Sequence, residues 1–191
     1  MPVILSRQEV RSLLNAVEPM KYKAILSTIY AGGLRISEAC RLRVKDIDSK
    51  NMQIFVKCSK GNKDRYTILS KTNLEILREY WKTCGKPKEW LFPGEKDGYP
   101  ITTASVGAAM RIAREKAGIS KEITVHTLRH GFATHLLEQG ENIFRIKVLL
   151  GHASLNSTCR YLHMVNQDYF NVKSPLDVMA DMEITKDDKD E

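Results

Sequence analysis

Long apolar runs are absent. No stretch of about 18 apolar residues occurs, which excludes a membrane-spanning helix. The apolar start MPVIL is too short for a secretory signal and carries no basic residue ahead of it. The four cysteines, Cys40, Cys58, Cys84 and Cys159, lie far apart and form no CxxC pair. That argues against a zinc ribbon and against a disulfide-stapled scaffold, and reduced thiols in a cytoplasmic protein are expected. Neither GxxxxGK[ST] nor GxGxxG is present, so nucleotide binding has no support. The clustered carboxylates that would hold catalytic metal ions are also missing from the motifs described below. His126 and His130 are four apart, but HTLRH lacks the glutamate of HExxH and Arg129 between them would repel a cation. No metal and no cofactor are expected.

What is present is basic charge on a chain long enough for one core. The 191 residues are 42% hydrophobic and carry a formal charge of +7. The charge is uneven. Residues 180–191 hold six acids and two lysines and, nearly free of large apolar groups, are expected to be a disordered acidic tail. The preceding 179 residues have a surplus of eleven basic side chains. A polyanion, nucleic acid first, is the partner such a body suggests.

The patterning predicts a mainly α domain with a small antiparallel β-sheet, an α+β fold. Ser6 and Glu9 read as a capping box ahead of Val10, Leu13, Leu14 and Val17 at helical spacing. A more buried helix over 21–31 is broken by Gly32-Gly33, and a short helix follows over about 37–42. Residues 52–57 and 65–69 read as two strands joined by a polar turn at 59–64. Helix returns over 71–83, with Leu74, Leu77 and Trp81 on one side. A loop rich in proline and glycine covers 84–101. Further helices are expected at about 103–117, 127–139, 142–150 and 155–163, with Gly118, Gly140 and Gly151 as C-terminal caps.

Four local patterns carry chemistry. Arg35 stands where a glycine turn meets a helix, in Gly33-Leu34-Arg35-Ile36-Ser37-Glu38. Lys60 lies in the hairpin turn. His126 and Arg129 sit in His126-Thr127-Leu128-Arg129-His130. His152 closes Leu149-Leu150-Gly151-His152, and Tyr161 follows nine residues later. Taken in order, R…K…HxxR…GH…Y, these six positions resemble the tyrosine recombinase, or phage integrase, family. The likeness covers nearly all of residues 1–175 and points to its XerC/XerD-like members. The phrases AGGLRISEACRLRVKDID, HTLRHGFATHLLEQG and LLGHASLNSTCRYLHM carry it. Val172-Lys173-Ser174-Pro175-Leu176 adds a weaker likeness to integron integrases.

The resemblance implies the family's catalytic-domain fold over residues 1–179 and its chemistry. That chemistry is attack of a tyrosine hydroxyl on a DNA phosphate, giving a 3′-phosphotyrosine and a free 5′-hydroxyl without ATP or metal. Tyr161 is then the nucleophile, and its ordinary pKa of about 10 means it needs help near neutral pH. Arg35 and Arg129 become the phosphate clamp, since a guanidinium stays charged and offers a fork of donors. His152 adds a donor, Lys60 is the general acid for the leaving oxygen, and His126 handles the proton at the nucleophile. The implied partner is double-stranded DNA, with a tetramer on DNA and a monomer without it. Residues 164–179 are candidates for docking onto a neighbouring subunit or for packing in cis. The N-terminal core-binding domain of most family members is missing from this sequence, so weak DNA affinity is expected of the chain alone. A non-cleaving DNA-binding module and a type IB topoisomerase-like enzyme are the rival readings.

The remaining residues have plainer roles. Glu38 is expected to position Arg35 rather than act as a base. His130 and His135 read as helix-packing or capping histidines, and Tyr22, Tyr30 and Tyr80 as core. Tyr169 is the one serious rival nucleophile. Arg41, Arg43, Lys45, Lys63, Arg65, Arg111, Arg114, Lys116, Arg145 and Lys147 are candidates for phosphate contacts, which give affinity and salt dependence.

Overall fold

A computed structural model of the chain describes residues 3–57 and 64–162. Lys60, Lys63, Tyr169, the 164–179 segment and the acidic stretch 180–191 lie outside the described residues. The helices are α1 (Arg7–Ala16), α2 (Met20–Gly32), α3 (Ile36–Cys40), α4 (Lys71–Thr83), α5 (Thr103–Lys116), α6 (Val125–Glu138), α7 (Ile143–Leu150) and α8 (Asn156–Cys159). The strands are β1 (Ile47–Asp48), β2 (Gln53–Val56) and β3 (Arg65–Ile68), forming one antiparallel sheet in the order β1-β2-β3. The expected mainly α fold with a small antiparallel sheet is what the structure has.

Local chemistry sets the helix ends. The Ser6 hydroxyl accepts from Glu9 N at 3.1 Å and the Glu9 carboxylate accepts from Ser6 N at 2.7 Å, a reciprocal cap worth about 1 kcal/mol. The sheet differs from expectation by the two-residue strand β1, which is too short to leave a period in the sequence. On α4 the core side is Leu77 and Tyr80, 4% and 0% exposed, while Trp81 is 39% exposed and donates to Pro87 O. The 80–81 pair is adjacent, so a small error in helix phase exchanges which aromatic faces in.

Two apolar clusters organise the interior. The larger joins α1, α2, α4 and α5 with the sheet around Leu13, Ile25, Leu26, Ile29, Ile54 and Phe92. The smaller is Phe132, Ala133, Leu137, Ile146, Leu150 and Tyr161. Helix α6 belongs to both: Val125 and Leu128 pack into the first, Phe132 and Ala133 into the second. His135 is a packing histidine, as expected, bonded to Tyr30 Oη at 2.9 Å and to Leu5 O at 3.0 Å.

The seam between the clusters passes over Gly33. Its φ is +63°, which ends α2 in the left-handed region and turns the chain towards Arg35. A Cβ there would stand 2.4 Å from the Phe132 ring. Gly33→Ala combines a left-handed alanine with overpacking and is expected to cost roughly 2–4 kcal/mol in urea denaturation.

Candidate active site

Three arginines from three parts of the chain converge on one carboxylate. Glu38 is the third residue of α3 and its side chain turns back to accept from Arg35 N at 2.7 Å and Arg35 Nη1 at 2.8 Å. Arg65, the first residue of β3, holds the other side of it with Nη1 at 2.9 Å and Nη2 at 2.8 Å. Arg129 on α6 brings Nη1 to 3.7 Å. Burial opposes the charge on Glu38, but the hydrogen bonds and charge of Arg65, then those of Arg35, overcome it and hold the carboxyl at about 2. Glu38 therefore positions Arg35, as expected.

The same arginines cap helix α7. Arg65 Nε donates to Leu149 O at 2.8 Å and Arg129 Nη2 to Leu150 O at 2.8 Å, two carbonyls with no partner further along the helix. Arg129 Nη1 also donates to Gly33 O at 2.6 Å. Burial, then the Arg35 charge, lowers Arg129 to about 10, so it stays charged at neutral pH. The Arg65 side chain is 6% exposed, that of Arg129 2% and that of Arg35 34%. Arg35 is the member of the trio that reaches solvent. Arg65, expected among the phosphate contacts, is instead buried in this network.

His152 is placed by the end of α7. Gly151 takes φ +65°, and His152 N donates back to Lys147 O at 3.1 Å, a Schellman-type turn. A Cβ on Gly151 would meet Arg65 Cδ at 2.7 Å, so the turn and the arginine network fit only with glycine. His152 Nδ1 faces Thr158 Oγ1 at 2.9 Å. With that hydroxyl donating, the imidazole proton sits on Nε2, the donor arrangement a phosphate oxygen requires. Burial, then the charges of Arg129 and Arg35, push His152 down to about 4.

Tyr161 lies just beyond α8, which is shorter than expected and ends at Cys159. Its ring is 2% exposed and parallel to that of His152, with centroids 6.4 Å apart. Its hydroxyl is 3.0 Å from His130 Nδ1. His126, in the first turn of α6, is exposed and meets His130 edge-on at 4.7 Å. Burial lowers both imidazoles, His130 to about 4, helped by the charges of His126, Arg160 and Arg129. Burial raises the Tyr161 phenol against the pull of Arg129, Arg160 and Arg35.

The structure thus gathers Arg35, His126, Arg129, His152 and Tyr161 in one place, and Lys60 lies outside the described residues. Beside this site, Arg41, Arg43, Lys45 and Lys57 share an open cavity of about 450 Å³ with Glu38, Asp46, Asp64 and Trp90. Sequence reasoning had treated His130 as a packing residue and did not foresee Thr158 as the partner of His152. The i,i+4 relation of His126 and His130 was the available signal, since it puts both on one helix face. Among the described residues no group of three His, Cys, Asp or Glu side chains could hold a metal ion, and no helix is long and apolar enough to cross a membrane.

Two predictions follow from this charge arrangement. Glu38→Gln leaves buried guanidiniums without their counter-charge and should cost about 3–5 kcal/mol in denaturant unfolding. Acid destabilisation should come in two stages. The imidazoles of His126, His130, His135 and His152 are all lowered in the fold, so the unfolded chain takes up protons first. Stability should be full above pH 6.5 and fall towards pH 4, then fall again from pH 4.5 towards 2 as Glu38 protonates. Urea unfolding across this range checks it, and Glu38→Gln should weaken the second stage, leaving the smaller part due to other lowered carboxylates such as Glu9 and Asp48.

Comparison with known proteins bears on the family and the fold. Residues 4–168 match the phage integrase family. An integrase/recombinase of Sinorhizobium fredii is 48% identical over 179 residues, covering 94% of this chain and 58% of that protein. The crystal structure of XerA recombinase superposes with a TM-score of 0.78 at 34% identity, over 87% of this chain and 62% of that one. XerH site-specific recombinase bound to palindromic difH substrate, in a post-cleavage complex, gives 0.76 at 28% identity, over 87% and 51%. The chain spans less than two thirds of the length of each of these relatives. A match over residues 4–168, most of the chain, makes this chain a member of the phage integrase family.

Proposed function

We propose that the chain is the catalytic domain, within residues 1–179, of a tyrosine site-specific recombinase that cuts and rejoins double-stranded DNA. The observation that carries this reading is the convergence of Arg35, Arg129, His152 and Tyr161 at the seam of the two clusters. A nucleophile beside fixed cationic donors is what phosphoryl transfer requires.

In the reaction, Tyr161 Oη attacks the DNA phosphorus and the bond to the 5′-oxygen breaks. Negative charge on the non-bridging oxygens meets Arg35, with Arg129 beneath it and His152 Nε2 as a further donor. Glu38 neutralises one charge of the three guanidiniums, so the site keeps a positive surplus for the diester. The leaving 5′-oxygen takes a proton from Lys60, because an ammonium proton is transferable where a guanidinium proton is not. A 5′-hydroxyl from a second strand then attacks the phosphotyrosine and releases Tyr161. The ester conserves the bond, so neither ATP nor metal is needed. Arg41, Lys45 and Lys57, on the cavity beside the site, offer backbone contacts, and rejoining between two duplexes calls for a tetramer.

Covalent trapping on a pool of nicked, randomised duplexes tests this reading. A protein–DNA adduct should form in the presence of chelator and vanish in Tyr161→Phe. Arg35→Ala should lower its rate by about 100-fold or more. DNA binding without any adduct, scored on native gels, would replace the enzyme with a non-cleaving binding module.

A further inference from the structure

We propose that His130, and not His126, is the immediate proton acceptor for Tyr161 when it attacks. This deepens the reading above and rests on Tyr161 being the nucleophile. The geometry that carries it is the 3.0 Å contact between Tyr161 Oη and His130 Nδ1. The tyrosine ring is held on both sides of that contact. It packs in the cluster of Phe132, Ile146 and Leu150 and lies parallel to the His152 ring. Among the described residues, His130 Nδ1 is the hydrogen-bond partner the Tyr161 hydroxyl meets.

The chemistry of the surroundings suits an acceptor. The groups facing His130 and Tyr161 are His126 and Arg129 on α6, Arg160 just past α8, and Arg35 ahead of α3. This positive field, with burial, keeps His130 unprotonated at neutral pH, so Nδ1 has a lone pair to offer. The same field opposes the burial that raises the Tyr161 phenol, and so eases transfer of its proton to a neutral acceptor. A bound phosphodiester adds the negative charge that lets His130 become imidazolium during the step. The balance is then complete: the Tyr161 O–H proton goes to His130 Nδ1, the Oη–P bond forms, the P–O5′ bond breaks, and the 5′-oxygen is protonated by the general acid. On rejoining, His130 returns the proton to Tyr161. His126, exposed and edge-on to His130, is the solvent-side neighbour of the acceptor.

Two measurements on the full chain test the assignment. In the DNA-free protein, long-range 15N spectra of the histidines should show His130 with its proton on Nε2. The His130 Nδ1 signal should move in Tyr161→Phe. A proton found on Nδ1, or a signal unmoved in Tyr161→Phe, overturns the proposal whatever the DNA result. With the nicked duplex pool, wild-type adduct formation should fall on the acid side as His130 protonates. His130→Gln, which keeps hydrogen bonding but cannot accept the proton, should slow the adduct by about 100-fold or more and erase that acid limb while native-gel binding persists. His126→Gln should keep the acid limb whatever its rate. A His130→Gln rate within about threefold of wild type, or an unchanged acid limb, overturns the proposal. Absence of any wild-type adduct beside the expected spectra overturns the functional reading instead, and with it the role in attack, while leaving the contact intact.

Discussion

The carboxylate of Glu38 is the constraint on which the site depends. Without it, Arg35, Arg65 and Arg129 would be three like charges packed together, two of them almost fully buried. One buried carboxylate offsets their repulsion without cancelling it, and the remaining positive charge is what a phosphodiester would meet. Because Arg65 and Arg129 also cap the last carbonyls of α7, the network sets where that helix stops. His152 follows the stop immediately, so the position of one donor is tied to the position of the others. A single ion cluster thus joins β3, α3, α6 and α7 into one frame.

The second theme is that the site's histidines are tuned as neutral groups. Burial and the surrounding guanidiniums push His130 and His152 far below the ordinary imidazole range. As neutral rings they offer directed donors and acceptors, and the fixed charge is left to arginine. Thr158 sets the direction of His152, as Tyr161 and His130 set each other's. Arginine suits the charged part because it keeps its proton even when buried. The division costs stability in acid, where these imidazoles must take up protons against the field around them.

Much of the fold was legible because its signals are local. The Ser6–Glu9 cap, the break at Gly33, the hairpin strands and the glycine stop at Gly151 all lie within a few residues of the structure they specify. Where packing decides, the sequence was less informative. The α4 aromatic that faces the core is Tyr80 and not Trp81, since helix phase is set by what lies opposite. The strand β1 exists only because β2 runs beside it, and α8 stops early so that Tyr161 can leave the helix and enter the second cluster.

The site divides in the same way. Residue types and their order carried a family resemblance, and that resemblance named the candidates: two arginines for a phosphate, a lysine with a transferable proton, histidines and a tyrosine. The order of these residues is a property of the sequence alone, whatever surrounds them. Partnership was decided only by the tertiary structure. Arg65 reads from the sequence as one more surface base, yet it is buried against Glu38 from 27 residues away. His130 reads as a packing residue, yet it meets Tyr161 from 31 residues away. Hydrogen bonds and ion pairs of this kind depend on distances of a few ångströms between segments remote in sequence, and no local pattern of residues encodes such a distance.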